Sequence, residues 1–174
     1  MLSIESKKRP IITSILFLLT LLSFSIQANE NKTTSLIWDV IESFKLSIVT
    51  KDEALFLSLF HNMNNDNITW VGVISDDTLK ALIAKDEKFK QQPKIMNSTP
   101  KEFIHAIVNS PQASKEVFKN VKINTDKEVA SVSFDYEFFK DEKVSNFGQE
   151  HWQLINTKNG WKINAVNFSF TLVI

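Results

Sequence analysis

The sequence predicts an α+β fold in which a curved antiparallel sheet wraps around N-terminal helices, a cone-like arrangement with space for a pocket. Two observations predict it. Before Pro111 the apolar residues recur every three or four positions, as on one face of a helix, whereas after it they alternate at every second position, as in a strand. Short polar turns join the late strands, so consecutive strands must pair antiparallel as a meander.

Four helices are predicted in the first part of the chain. Thr50 with Glu53, and Thr99 with Glu102, have the spacing of a capping box, in which two side chains satisfy free backbone N–H groups at a helix start. Ser75 is a further candidate for an N-cap. The apolar positions of the four helices are Leu36, Ile37, Val40, Ile41, Phe44 and Ile48; Leu55, Phe56, Leu59 and Phe60; Leu79, Leu82 and Ile83; and Phe103, Ile104, Ile107 and Val108.

β-Branched and aromatic residues predict one early strand and four late ones. The predicted strands are Ile68–Ile74, Glu116–Asn124, Glu128–Phe139, Val144–Asn156 and Trp161–Leu172. The last turn contains the dipeptide Asn159-Gly160, which is a strong hairpin signal. We therefore expect the last four strands to form the meander, with the helices covering its apolar face.

Residues 1–28 have the order of a bacterial secretory signal peptide. A positive stretch at residues 7–9 precedes an apolar run over residues 11–26, and Ala28 offers a small residue for cleavage. We therefore expect a periplasmic or secreted protein with a single domain over residues 29–174. The alternative is an uncleaved N-terminal segment that holds the protein at a membrane, although the apolar run is shorter than the roughly 20 residues of a comfortable span.

Composition excludes several kinds of site. With no cysteine, the chain has no disulfide, no thiolate metal site and no cysteine nucleophile. Arg9 is its only arginine and the lysines are scattered among acids, so we expect no nucleic-acid partner. The three glycines lie too far apart for a phosphate-binding loop, and His61, His105 and His151 lack the close spacing of metal ligands. We therefore expect neither a cofactor nor a metal ion.

Three segments of the late strands carry a resemblance to a known superfamily. They are Phe134–Phe139 (FDYEFF), Asn146–Leu154 (NFGQEHWQL) and Gly160–Ile163 (GWKI). Together with the order of helices and strands, they resemble the nuclear transport factor 2-like superfamily with its cystatin-like cone, and most of all its exported, SnoaL-like small domains. The resemblance implies a pocket between the helices and the concave face of the sheet. Some members of the superfamily catalyse isomerisation, dehydration or epoxide hydrolysis there, whereas others bind a ligand or form dimers through the sheet. The Asp, with His or Tyr, of the catalytic members has no residue-by-residue match in this chain.

The apolar faces of two neighbouring strands predict their register, because a slip by one residue would reverse every side chain. The predicted pairs are Val132 with Trp152, Phe134 with Glu150, and Tyr136 with Gly148. In this register Glu150 points inward, where burial would raise its pKa and allow it to act as a general base near neutral pH. The alternatives for Glu150 are a solvated place at the rim or a pair with a lysine. Tyr136 would donate a hydrogen bond to a ligand oxygen or, alternatively, to the backbone.

Three functions remain open on the sequence alone. The first is non-catalytic binding of a small apolar or amphipathic ligand, or of a protein partner. The second is a cofactor-free isomerase, dehydratase or hydrolase with Glu150 as base and Tyr136 as hydrogen-bond donor. The third is a homodimeric interaction module. The candidate pocket residues, which alternatively only fill the core, are Phe56, Phe60, Trp70, Phe134, Tyr136, Phe138, Glu150 and Trp152.

Overall fold

The helices of this α+β chain pack on one face of a curved, unclosed six-stranded sheet, which confirms the predicted fold class. The computed structural model describes residues 32–61 and 68–174. The predicted signal peptide, residues 1–28, and the polar run at residues 62–67 lie outside the described residues.

Residues 32–61 and 68–174 contain four α-helices and one short 3₁₀ segment. They are α1 (residues 32–50), α2 (Glu53–Ser58), α3 (Asp76–Lys85), the 3₁₀ segment (Glu87–Gln91) and α4 (Pro100–Val108). Within the described ranges, none of the helices combines the length and apolar character needed to cross a bilayer.

The helix starts follow local capping chemistry, with one correction to the sequence prediction. Thr99 and Glu102 form the predicted capping box at the start of α4, and Ser75 caps α3 by accepting from the backbone of Thr78. The predicted box of Thr50 with Glu53 is wrong. Asp52 caps α2 instead, because its carboxylate accepts from Leu55 N at 2.9 Å, while the Thr50 hydroxyl donates back to the carbonyl of Leu46 in α1.

Six strands form a single sheet in the order β2-β1-β6-β5-β4-β3. The strands are β1 (Thr69–Ile74), β2 (Ile95–Asn97), β3 (Ser114–Thr125), β4 (Val129–Lys140), β5 (Lys143–Thr157) and β6 (Gly160–Leu172). Strands β3 to β6 pair antiparallel in sequence, which confirms the meander. Strand β1 runs parallel to β6 and adds the three-residue β2 at the edge, a strand that the sequence analysis did not predict.

The predicted register of β4 against β5 is confirmed. Val132 pairs with Trp152, Phe134 with Glu150, and Tyr136 with Gly148. Irregularities interrupt the ladders in β3, in the β4–β5 pair and in the β5–β6 pair, and such interruptions bend strands. The shift in β3 lies between Lys119 and Lys122 and includes Asn120, whose φ of 55° is in the left-handed region.

An aromatic core joins the helices to the inner face of the sheet. Phe44 of α1 lies at its centre, with its ring centroid 4.7 Å from Trp152 and 4.9 Å from Phe56. Phe118 stacks on Phe134 at 3.9 Å, so β3 contributes to the same core. Rings packed at these distances contribute beyond their buried area, which holds the sheet and helices in a fixed relation around the space described next.

Candidate functional site

A cavity of about 350 Å³ lies between α4 and the inner face of the sheet. Its volume is in the range of small-molecule sites. The walls are mainly apolar, but several polar groups converge on it. The lining residues are Phe44, Trp70, Met96, Phe103, Ala106, Ile107, Ser110, Ser114, Glu116, Tyr136, Phe138, Lys140, Ser145, Asn146, Glu150, Phe168, Phe170 and Leu172.

Aromatic rings from four different elements form a continuous part of the wall. Trp70 of β1 lies 5.1 Å from Phe103 of α4 and 6.1 Å from Phe168 of β6, measured between ring centroids. Phe103 in turn lies 6.2 Å from Phe138 of β4 with an edge-on orientation. The cavity therefore presents ring faces and edges to anything it holds, and these rings are supported by one another.

Glu150 brings a carboxylate into this apolar wall. It lies on β5 opposite Phe134, and only 4% of its surface is exposed. The Trp152 indole N–H donates to Glu150 Oε1 at 2.6 Å. Burial raises the pKa of Glu150 to about 7, although the hydrogen bond from Trp152 opposes that rise. Glu150 thus changes its charge near neutral pH, which is the property of a general base that the sequence analysis attached to it.

Glu116 is a second buried acid that the sequence analysis did not single out. It lies on β3 opposite Phe138 and is 6% exposed. Its Oε2 is buried and has no hydrogen-bond partner among the residues that the structure describes. Burial first, and then the negative charge of Glu150, raise the pKa of Glu116 well above its ordinary value. The two carboxyl groups therefore titrate as a pair, and the charge of the ionised Glu150 opposes ionisation of Glu116.

Tyr136 is the third polar group on the inner face. Its hydroxyl oxygen lies 3.1 Å from Asn146 Oδ1 and 3.1 Å from the carbonyl oxygen of Ser169. The backbone-bonded alternative is therefore the one observed, because the single hydroxyl proton already has two acceptors within reach. Burial, with the charges of Glu150 and Glu116, also raises the pKa of Tyr136, so the phenol stays neutral.

Solved structures with the same architecture identify the fold. An NTF2-like protein from Cytophaga hutchinsonii matches with a TM-score of 0.56 at 16% identity, over 80% of this chain and 98% of that one. An NTF2-like protein with a cystatin-like fold from Novosphingobium aromaticivorans matches with a TM-score of 0.58 at 8% identity, over 88% and 90%. This chain has the nuclear transport factor 2-like fold.

Solved structures with this fold also include a protein that carries the name of an enzyme. A candidate scytalone dehydratase from Novosphingobium aromaticivorans matches with a TM-score of 0.59 at 10% identity, over 84% of this chain and 89% of that one. No protein-family model matches this chain, and no curated protein matches it at a significant level. The nuclear transport factor 2-like fold fixes the architecture, and the function must be argued from the cavity itself.

The structure brings four of the eight candidate pocket residues together around the cavity: Trp70, Tyr136, Phe138 and Glu150. The other four do not line it. Phe56, Phe60, Phe134 and Trp152 are buried in the core of the nuclear transport factor 2-like fold, as in the alternative that such rings only fill space. Trp152 still acts on the site through its hydrogen bond to Glu150.

The three histidines lie apart from this cavity. His105 and His151 are exposed, and none of the three is among the lining residues. Among residues 32–61 and 68–174, no group of three or more His, Asp or Glu side chains has an arrangement that would hold a metal ion. The titratable side chains that line the cavity are Glu116, Tyr136, Lys140 and Glu150.

Proposed function

We propose that this protein binds a small, mainly apolar molecule in the cavity between α4 and the sheet. The observation that carries the proposal is the coexistence of a cavity of about 350 Å³, aromatic walls and two inward carboxyl groups. A site that only completed the core would be filled with side chains, since interiors are close-packed and voids are costly. A ligand with an apolar body and one polar group matches the lining.

A blocking variant tests this proposal. Ala106 and its neighbour His105 are both exposed on α4, but only Ala106 lines the cavity. We expect the wild type to bind the neutral fluorophore N-phenyl-1-naphthylamine, with the affinity reduced about tenfold or more in Ala106→Trp and unchanged in the matched control His105→Trp. Equal binding by both variants, or no binding by the wild type, would overturn the proposal. If the blocking variant gives the expected result, native mass spectrometry of the protein purified from its own host would identify a molecule retained in the cavity.

A second candidate function, acid–base catalysis without a cofactor, is supported by the pKa of about 7 at Glu150. An ionised Glu150 would accept a proton from carbon, and a protonated Glu116 nearby would donate one to a developing oxygen anion. The names of some proteins with this fold, such as the candidate dehydratase, fit that chemistry but belong to those proteins.

Proton exchange tests the catalytic alternative without knowledge of the substrate. With 2-tetralone in deuterium oxide, NMR would show exchange of the α-hydrogens accelerated about tenfold or more by the wild type over Glu150→Gln. Equal exchange rates for the two proteins would refute acid–base catalysis by Glu150 and leave ligand binding as the proposed function.

We further propose that the protein works in a bacterial periplasm or outside the cell, on the strength of the signal-like order of residues 1–28. N-terminal sequencing of the protein from fractionated host cells tests this. A mature N-terminus near residue 29 in the periplasm or medium supports export, and an intact N-terminus in the cytoplasm overturns it.

A further inference from the structure

We infer that the cavity selects an organic cation, an amine or quaternary ammonium group carried on an apolar body. The inference rests on the proposed ligand-binding function and names the class of ligand. It is carried by the geometry of the cavity: an unpartnered buried carboxylate oxygen, a second buried carboxylate, and aromatic rings that surround both.

The first argument is the unsatisfied acceptor at Glu116. A buried polar atom without a hydrogen bond carries a desolvation cost that a folded protein normally avoids. Glu116 lines the cavity, and its Oε2 finds no partner among the described residues. An ammonium N–H group of a ligand in the cavity would donate a hydrogen bond to this oxygen. The methyl groups of a quaternary ammonium ion, which carry its positive charge, would make a favourable electrostatic contact with it. A ligand anion would instead meet a second negative group.

The second argument is the balance of charge around the cavity. Two acids, Glu116 and Glu150, line it, against one lysine, Lys140, and that lysine is exposed at the end of β4. No ion pair formed within residues 32–61 and 68–174 involves either acid. Tyr136, the remaining titratable group on the wall, stays neutral because its pKa is raised. When these two acids ionise, no cationic side chain of the described residues is therefore paired with them.

The third argument is the aromatic wall. The faces of Trp and Phe rings attract cations, and rings around an acid are the usual cage for alkylammonium groups. Seven aromatic side chains line the cavity together with the two acids: Phe44, Trp70, Phe103, Tyr136, Phe138, Phe168 and Phe170. Rings alone would accept any apolar molecule, and acids alone would attract any cation. The combination favours a cation with an apolar body.

Occupation by a cation should be coupled to proton release. Burial raises the pKa of both carboxyl groups, and the negative charge of Glu150 raises that of Glu116 further, so the pair holds its protons to higher pH than exposed acids do. A bound cation stabilises the ionised carboxylates, so protons leave to solvent as the ligand enters. The affinity for a permanent cation should therefore increase with pH through the range in which Glu150 ionises.

A pair of isosteres tests the inference. Phenyltrimethylammonium and tert-butylbenzene have nearly the same shape and differ by one positive charge. At pH 8 we expect the cation to bind about tenfold or more tightly than the hydrocarbon. Between pH 6 and pH 8 the affinity for the cation should increase about tenfold, since Glu150 ionises near pH 7, while that for tert-butylbenzene stays constant. Both affinities can be measured by NMR titration.

Variants that remove one negative charge show which residues are responsible for the affinity for the cation. Glu116→Gln and Glu150→Gln should each weaken binding of the cation about tenfold or more at pH 8, with little change for tert-butylbenzene. Glu128→Gln removes the same charge from an exposed position between β3 and β4 and should change neither affinity. If one of the two buried variants does not fold, the other variant and the pH series on the wild type still decide the matter.

The outcomes separate this inference from the proposed function. Equal or tighter binding of tert-butylbenzene, or retention of cation affinity in both buried variants, overturns the selection for cations. If the hydrocarbon and N-phenyl-1-naphthylamine still bind and Ala106→Trp blocks them, the ligand-binding function stands without it. If none of the three compounds binds the wild type, both proposals fail.

Discussion

The buried acid Glu150 should make the fold less stable as the pH rises. Its pKa moves from 4.5 to about 7 on folding, so it is protonated in both states at low pH and is forced to lose its proton in the core above neutrality. A folded-state pKa above the unfolded value gives stability that is fully present below about pH 4.5 and is lost as the pH rises through 7. The shift corresponds to roughly 3 kcal/mol lost by pH 8.

The assay is urea unfolding at half-unit steps from pH 5 to pH 8, followed by the fluorescence of the tryptophans, of which Trp70, Trp152 and Trp161 are buried. With a slope of about 2 kcal/mol/M, the loss would lower the urea midpoint by about 1.5 M. Acids with lowered pKa values outside the core, such as Asp126 and Asp135, act in the opposite sense. Their stabilisation is lost only as the pH falls through their own acidic range, so the interval above pH 5 isolates the buried pair.

Glu150→Gln supplies the decisive comparison. The amide oxygen can still accept from Trp152, while the charge that also raises the pKa of Glu116 is gone. We expect the variant to exceed the wild type by roughly 1–3 kcal/mol at pH 8 and to lose most of the advantage at pH 5. Glu128→Gln is the surface control and should follow the wild type. A wild-type midpoint that is constant from pH 5 to pH 8, or a Glu150→Gln curve parallel to it, would refute the reasoning.

Three further changes have expected results. In Gly148→Ala the new Cβ would clash with the carbonyl oxygen of Ser169, so we expect a loss of about 1–3 kcal/mol in urea unfolding; an unchanged midpoint would contradict this close approach. Thr99→Ala removes the cap of α4 and should cost about 1 kcal/mol, whereas Thr99→Ser should restore most of it. Trp152→Phe removes the hydrogen bond that lowers the pKa of Glu150, so the pH of half-maximal stability loss should move upward; a downward shift would exclude that role.

The sequence predicts the meander and the register between β4 and β5 because long alternating patterns leave little freedom there. Val132, Phe134 and Tyr136 alternate with polar residues, and only one pairing with Trp152 buries both sets. The edge strand β2 carries no such signal, since three residues are too few to show alternation. Its position depends on tertiary pairing with β1.

Glu116 escapes sequence analysis for a different reason. The apolar residues Val117, Val121 and Ile123 occupy odd positions along β3, and this pattern places Glu116 on the outer face. The structure places it inside, because the register shift near Asn120 reverses the alternation part-way along the strand. The inward ring of Phe118, two residues after Glu116, is the one local signal that indicates the observed orientation.

The Asn120 irregularity has an evolutionary consequence. Deleting this single residue would restore uninterrupted alternation along β3, because Lys119 and Lys122 would then lie two positions apart, as their partners Asp135 and Ser133 do. Glu116 and Phe118 would keep their pairing with Phe138 and Tyr136, and Ile123 would keep its pairing with Val132. A lineage could thus lose the irregularity through the loss of one codon and keep the acidic lining of the cavity. Comparisons among homologues should therefore align this strand by its gaps before its side chains are compared.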